Sequence, residues 1–270
     1  MAKLEFVHIS DLHLLTDYTG STLEPYATAM GRTPTQHATA LFSHLQEMHP
    51  HADFALLTGD LAHDGGEASY QMVRHLLQTH LPDLPVYMAL GNHDVRSAFR
   101  QVFAVPGAPD DPYCHAVDVK GYRFLFLDTS GTGKNISHLE PEQLVWLREQ
   151  IRDREGLPAF LVLHHPPLQL VESRPASYAI DNADALEQVI GGSGLLGIFA
   201  GHFHDASVTE FAGIPLYTAG GVAFGLAISS RGVETTDRVG YNYCILDDTR
   251  LQVLSRSLPG DYNVLLTRPL

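Results

Sequence analysis

Short β-branched and apolar runs recur along this chain, and six of them stop at a charged, amide or imidazole side chain. These six read "LEFVHIS", "DFALLTGD", "PVYMALGN", "YRFLFLDTS", "AFLVLHH" and "LLGIFAGH", with "IPLYTAGG", "YNYCILD" and "RLQVLSRSL" following toward the C-terminus. A strand that is apolar at nearly every position is covered on both faces, so such runs belong in sheets packed beneath helices. Amphipathic segments near 35–48, 66–80, 140–154 and 182–190 supply those helices. Beyond the last of them the strands follow one another directly, which implies a second, partly antiparallel sheet. The expectation is an α/β architecture of two mixed β-sheets packed as a sandwich and flanked by α-helices. The 270 residues contain no internal repeat, low-complexity tract or charged linker. They read as a single domain, 1–270, whose strands from about 205–270 complete the second sheet.

The polar run ends carry the functional argument. In open α/β sheets, ligands bind beyond the carboxyl ends of the strands, so residues remote in sequence can meet there. The candidates are Asp11 and His13, Asp60, Asn92 and His93, His164 and His165, and His202 and His204, with Asp128 less clearly placed. Residues i and i+2 of an extended segment share a side, so Asp11 with His13, and His202 with His204, are each expected to face one centre together. The same alternation sets His164 and His165 apart, which leaves one of the two as a ligand. Two carboxylates, an amide carbonyl and several imidazoles suit Mn, Fe or Zn, and four imidazoles argue against magnesium or calcium as sole occupants. There are donors enough for two ions. Two divalent ions, less two carboxylates and a bridging hydroxide, leave a local charge of about +1.

That local charge matters because the rest of the chain is acidic: 17 Lys and Arg against 31 Asp and Glu give a net charge of −14. A nucleic acid polymer or an anionic membrane is therefore not the expected partner. Cys114 and Cys244 are the only cysteines and stand in no metal spacing, which suggests neither a disulfide scaffold nor a thiolate site and fits a reduced compartment. The N-terminal "MAKLEFVHIS" lacks a signal-peptide core, and no segment approaches the roughly 18 apolar residues of a membrane span, so a soluble cytoplasmic protein is expected. Histidine is abundant, at 16 residues, but His37, His44, His49, His51, His75 and His80 lie in or beside helical patterns and are expected at the surface. Two polar, irregular stretches, 14–34 and 168–182, each follow a histidine-bearing strand end and are candidate rims of the site.

"DLH" at 11–13, "GD" at 59–60, "GNHD" at 91–94, "HH" at 164–165 and "GHFH" at 201–204 together resemble the calcineurin-like metallophosphoesterase superfamily, in the order of that family's blocks. Within it, "GDLAHDGGEASY", "LDTS", "LHHPP" and "AGHFH" are most similar to class III cyclic nucleotide phosphodiesterases and bacterial glycerophosphodiesterases. The resemblance implies that Asp11, His13 and His204 hold one metal, that Asn92, His164 and His202 hold the other, and that Asp60 bridges them. The ions would be divalent or mixed di- and trivalent Fe, Mn or Zn. It implies His93 as the catalytic residue beside the phosphate, binding an oxygen or protonating the leaving group, with His165 in support. The reaction would be attack of a metal-bridging hydroxide on the phosphorus of a small phosphodiester, a 3',5'-cyclic nucleotide first and a glycerophosphodiester second. A phosphomonoesterase is the alternative, and a catalytically silent binding scaffold a more remote one. Asp94 is expected to support the ligands and Asp128 to be structural, while His63 and His115 are expected at the surface. Relatives pair into dimers or larger assemblies, and "GIPLYTAGGVAFGLAI" offers either an apolar contact for that or a core strand.

Overall fold

The computed structural model describes residues 2–131, 137–168, 179–229, 232–260 and 263–268. The first half of the chain forms β1 (Leu4–Ile9), α1 (Glu24–Met30), α2 (Pro34–Met48), β2 (Phe54–Thr58), α3 (Glu67–His80), β3 (Val86–Ala89), α4 (Arg96–Phe103), β4 (His115–Val119) and β5 (Tyr122–Phe126). The second half forms α5 (Pro141–Arg152), β6 (Ala159–Val162), α6 (Ala183–Ile190), β7 (Gly197–Ala200), β8 (Val208–Phe211) and β9 (Ile214–Thr218). It ends with β10 (Gly225–Ser229), β11 (Gly232–Thr236), β12 (Gly240–Asp247), β13 (Arg250–Ser257) and β14 (Val264–Arg268).

β1 shows how an apolar run is used on both faces. Leu4 and Phe6 enter an aromatic layer between two sheets, whereas Val7 and Ile9 face the opposite way, into the core beneath helices. β2 repeats this, with Phe54 and Leu56 inside and Ala55 and Leu57 under the helices. In β6, Phe160 and Val162 enter the same layer while Leu161 and Leu163 pack toward α5 and α6. The first sheet has the order β13-β12-β1-β2-β3 and the second β4-β5-β6-β7-β9-β8. Phe6 and Phe54, stacked with centroids 4.8 Å apart, meet Phe124 and Phe199 edge-on across the layer. Truncating one such phenyl ring to alanine costs about 3–5 kcal/mol. α2, α3 and α4 cover one outer face and α5 and α6 the other, which gives the four expected layers.

Local chemistry sets the helix starts. Thr33 caps α2 in a capping box with Gln36, ahead of Pro34, and Glu140 and Gln143 do the same for α5 around Pro141. α2, α3, α5 and α6 fall where periodicity puts them. α1 and α4 are additional short helices, α1 within the stretch read as irregular. β4 and β8 are also additional: as edge strands they alternate half-buried and exposed residues instead of forming an apolar run.

The strands after 205 do not all complete the second sheet. β8 and β9 do so, whereas β12 and β13 join the first, and β10, β11 and β14 form a third sheet of three strands. β12 pairs antiparallel with β1 because Cys244 and Leu246 continue the inter-sheet layer beside Phe6. Ile214 and Leu216, in the apolar C-terminal stretch, are buried in the second core, so β9 is a core strand.

Several histidines expected at the surface are packed instead. His37 is buried and its Nδ1 lies 3.2 Å from the Ala223 carbonyl, while His44 and His49 both bond the Tyr241 hydroxyl. His115 is sandwiched between Tyr113 and Phe126, at 4.4 and 4.3 Å between centroids. In each case an aromatic or carbonyl partner from another segment draws the ring inward: the Ala223 carbonyl lies between β9 and β10, Tyr241 on β12, and Phe126 on β5, which pairs with β4. His51 and His75 are exposed, as expected.

Candidate metal centre

The parallel strands β1, β2 and β3 of one sheet, and β6 and β7 of the other, end at the same edge of the sandwich. Each is followed by a turn that carries one or two of the candidate residues. Five of these, Asp11, His13, Asp60, His202 and His204, have left-handed backbones with φ of 59°, 47°, 52°, 71° and 52°. The side chains therefore do not converge by strand alternation, as the i, i+2 spacing suggested; the chain has already left the extended conformation. The difference is visible in the pairs. His13 and His204 face each other, with Nε2 atoms 3.1 Å apart, whereas His202 turns to His164, its Nδ1 3.2 Å from His164 Nε2.

Hydrogen bonds within each sheet and between the two lock the turns. The Asp11 amide donates to the Gly59 carbonyl, the His202 amide to Asp11 Oδ2, and the Gly201 amide to the His164 carbonyl. Close approach excludes side chains at two places. A Cβ on Gly91 would stand 2.2 Å from Asp60 Oδ1, and one on Gly201 would stand 1.8 Å from Ser10 Oγ.

Asp60 is central. Its Oδ1 accepts the His93 amide, and its Oδ2 lies 3.5 Å from His13 Nε2 and 3.4 Å from His164 Nε2. Around it the donors fall into two groups. Asp11 Oδ1 lies 3.4 Å from His204 Nε2 and 3.9 Å from His13 Nε2; on the other side Asn92 Oδ1 lies 3.2 Å from His164 Nε2. The seven expected ligands thus meet in one place, and Asp11 with His13 and His204, and Asp11 with Asp60 and His164, offer donor atoms within 4.8 Å of one another.

The donor chemistry fits cations. His164 Nδ1 donates to the Thr58 carbonyl at 2.6 Å and His204 Nδ1 to the Phe224 carbonyl at 2.9 Å, which leaves each Nε2 as a lone pair turned inward. Asp11 Oδ1 is buried with no hydrogen-bond partner among the described residues. Electrostatics agree. Burial opposes charge on His164, yet Asp60 and Asp11 override it and hold the ring up at about 9. Burial likewise opposes charge on Asp60, but His164 and His13 pull it well below the usual carboxylate range. A proton on His164 stands where a metal ion would neutralise the same carboxylates.

The surrounding residues divide by their bonds. Asp94 is buried and accepts the amides of Leu61, Ala62 and Gly91 and the Tyr70 hydroxyl, so it fastens the Asp60 turn to the Asn92 turn. Burial, then the Asp60 charge, raises its pKa to about 6. Asp128 is structural, accepting from Arg96 Nε and the amides of Tyr113 and Ser130. His165 is buried behind His164, with Nδ1 3.0 Å from Thr129 Oγ1. His93 is half-buried, and its Nδ1 donates to the His63 carbonyl at 2.8 Å. His63, expected at the surface, is half-buried: its ring stacks on His93 and reaches His13. Its place three residues after Asp60 is the signal that could have drawn attention to it. Of the two rim stretches, 14–34 is ordered around Tyr18, which bonds Thr35 and the Leu15 amide. Most of 168–182 lies outside the described residues.

The chain is similar to proteins named as phosphodiesterases and phosphatases. The chain is 29% identical over 243 residues to a cAMP/cGMP dual specificity phosphodiesterase of Mycobacterium tuberculosis, covering 89% of this chain and 74% of that protein. It is 28% identical over 174 residues to the glycerophosphodiester phosphodiesterase GpdQ of Enterobacter lignolyticus, covering 63% of this chain and 62% of that one. A dimetal phosphatase from Danio rerio shares the fold with a TM-score of 0.68 at 15% identity, over 94% of this chain and 96% of that one. No helix among the described residues is long and apolar enough to cross a membrane. The sequence model for calcineurin-like phosphoesterases matches residues 4–206, and the chain belongs to that family.

Proposed function

We propose that the chain is a dinuclear metal-dependent phosphodiesterase of small diesters, with 3',5'-cyclic nucleotides preferred over glycerophosphodiesters. The observation that carries this reading is the position of Asp60 Oδ2, between His13 Nε2 at 3.5 Å and His164 Nε2 at 3.4 Å, at the junction of two donor groups. Asp11, His13 and His204 would hold one ion, Asn92, His164 and His202 the other, and Asp60 both. Fe, Mn and Zn suit this mixture of nitrogen and oxygen donors. Two such ions would supply an ionised water as nucleophile and neutralise the charge gathering on the phosphoryl oxygens.

The chain's own residues do the rest. His93 gives its Nδ1–H to the His63 carbonyl, so Nε2 is the ring atom left to meet a phosphate oxygen or protonate the leaving alkoxide. The His93 amide is bonded to Asp60 Oδ1, which fixes that ring to the turn that bridges the donor groups. Asp94 keeps the Asp60 and Asn92 turns in register through three amides. The preference for cyclic nucleotides is supported by the activity for which the mycobacterial relative is named, and that for glycerophosphodiesters by that of GpdQ.

The test is a substrate panel after defined loading with Mn, Zn or Fe: bis- and mono-nitrophenyl phosphate, cyclic AMP and glycerophosphocholine. Diesters should lead, with cyclic AMP ahead of glycerophosphocholine. A strong preference for the monoester would replace this reading by a phosphomonoesterase.

A further inference from the structure

His63 is outside the proposed ligand set, yet its ring touches the site at three points. Its Nδ1 lies 3.2 Å from His13 Nδ1, its Nε2 lies 2.8 Å from Thr22 Oγ1, and its face stacks on His93 at 4.5 Å between centroids. In His13, Nε2 is the atom turned toward Asp60, Asp11 and His204. For Nε2 to donate its lone pair to an ion, the proton of the neutral ring must sit on Nδ1. That N–H points at His63 Nδ1, which must then be the acceptor. The remaining proton of His63 follows on Nε2, where Thr22 Oγ1 accepts it. One arrangement of hydrogens satisfies both contacts.

We infer that His63 is a positioning residue for the metal ligand His13: its Nδ1 accepts the His13 Nδ1–H, and Thr22 holds it in the tautomer able to do so. The inference rests on the dinuclear reading above. His164 and His204 donate to the main-chain carbonyls of Thr58 and Phe224, which side-chain substitution leaves in place. His13 has a side chain in that position, so the anchor of one ligand is open to change. Thr22 is an exposed residue of the 14–34 rim, and the contact ties metal affinity on the His13 side of the centre to that rim. Partners of this kind, which orient a ligating imidazole and raise its basicity, are worth about 10–100-fold in metal affinity.

The experiment titrates Mn²⁺ into the metal-free full chain by calorimetry and records the absorption of the Co²⁺-loaded protein, for wild type, His63→Leu, His63→Asn and Thr22→Val. His63→Leu should weaken one of two Mn²⁺ sites by about 10–100-fold, leave the other unchanged and alter part of the Co²⁺ spectrum. His63→Asn, which offers an amide oxygen in place of Nδ1, should restore both affinity and spectrum. Thr22→Val should weaken the same site by less than about 10-fold. As an exposed substitution, it keeps the test alive should His63→Leu fail to fold. The inference is overturned by wild-type affinity and spectrum in His63→Leu, or in Thr22→Val where that variant alone folds. His63→Asn as weak as His63→Leu also overturns it. So do three Mn²⁺ per wild-type chain, which would put an ion among His13, His63 and His93. A wild type that binds fewer than two ions sinks the dinuclear reading itself, a result distinct from two ions indifferent to His63.

Discussion

Thr58 touches two buried imidazoles: its hydroxyl lies 3.0 Å from His8 Nε2, within β1, and its carbonyl accepts from His164 Nδ1 at 2.6 Å, beyond the end of β6. His8 has neutral company, with Asn242 Nδ2 3.2 Å from its Nδ1 and Phe199 edge-on at 5.2 Å. Burial drives its pKa down to about 3. His164 is as deeply buried, but with Asp60 3.4 Å from its Nε2 it is held up at about 9. Inside the sheet, then, an imidazole is an uncharged hydrogen-bonding group. At the strand ends, the same ring beside carboxylates that have few other partners becomes part of a sink for positive charge. Burial alone does not make a metal site; burial together with uncompensated anions does.

Removing the anion should erase the contrast. Asp60→Ala is expected to abolish uptake of a pair of Mn²⁺ ions and reduce turnover on the order of 10³-fold or more, by metal analysis and steady-state assay. His164 should then titrate below its ordinary 6.5, as His8 does, which NMR of the ring protons reads directly. A His164 that stays protonated in this variant would show that another group sets its charge. His93→Ala, by contrast, takes away a ring that is no member of either donor group. Both ions should remain while turnover falls about 10²–10⁴-fold, and loss of the metals would reverse the roles assigned within "GNHD".

The pH dependence of binding sharpens the comparison further. With a pKa of about 9, His164 carries its proton in the metal-free protein throughout the neutral range, and a metal ion must displace it. Affinity for Mn²⁺ at the position that includes His164 should therefore rise about tenfold per pH unit up to about 9 and fall as the solution is acidified, with about one proton released there. Calorimetry in buffers of different ionisation enthalpy measures that proton.

The smallest effect belongs to His8. Its folded pKa is depressed, so as pH falls through 6.5 the unfolded chain takes up the proton first and native stability is lost toward a pH of about 3. Between pH 7 and 5, wild type should lose about 2 kcal/mol more than His8→Gln, read from denaturant midpoints, with metal uptake unaffected.

Much of this was legible in the sequence because two physical signals were strong. Strands such as "FALLT" and "AFLV" are buried on both faces and so contain almost nothing but apolar residues, which makes layers visible without any coordinates. The polar groups then stand out by contrast at the run ends. What escaped has physical reasons too. β4 and β8 are edge strands whose alternation is diluted by exposure, and α4 is a helix of only eight residues around Phe99 and Arg100. His37 and His115 look like surface residues locally, because the Ala223 carbonyl is remote in sequence and the Phe126 ring meets His115 only once β4 pairs with β5. His63 escaped because its partners, Thr22 and His13, lie 41 and 50 residues away in the chain but beside it in space. The meeting of the seven donors was anticipated; that they meet through bent backbone was not.

The left-handed turns at Asp11, His13, Asp60, His202 and His204 have a consequence for anyone who would borrow this centre. Each bend costs about 1 kcal/mol or more for a residue bearing a Cβ, a strain that the packed sandwich behind it sustains. The same seven side chains transplanted onto straight strands of another scaffold would lose the directions that these five turns give them. The curvature of the main chain has to travel with the donors, and an engineer should copy the corners before the ligands.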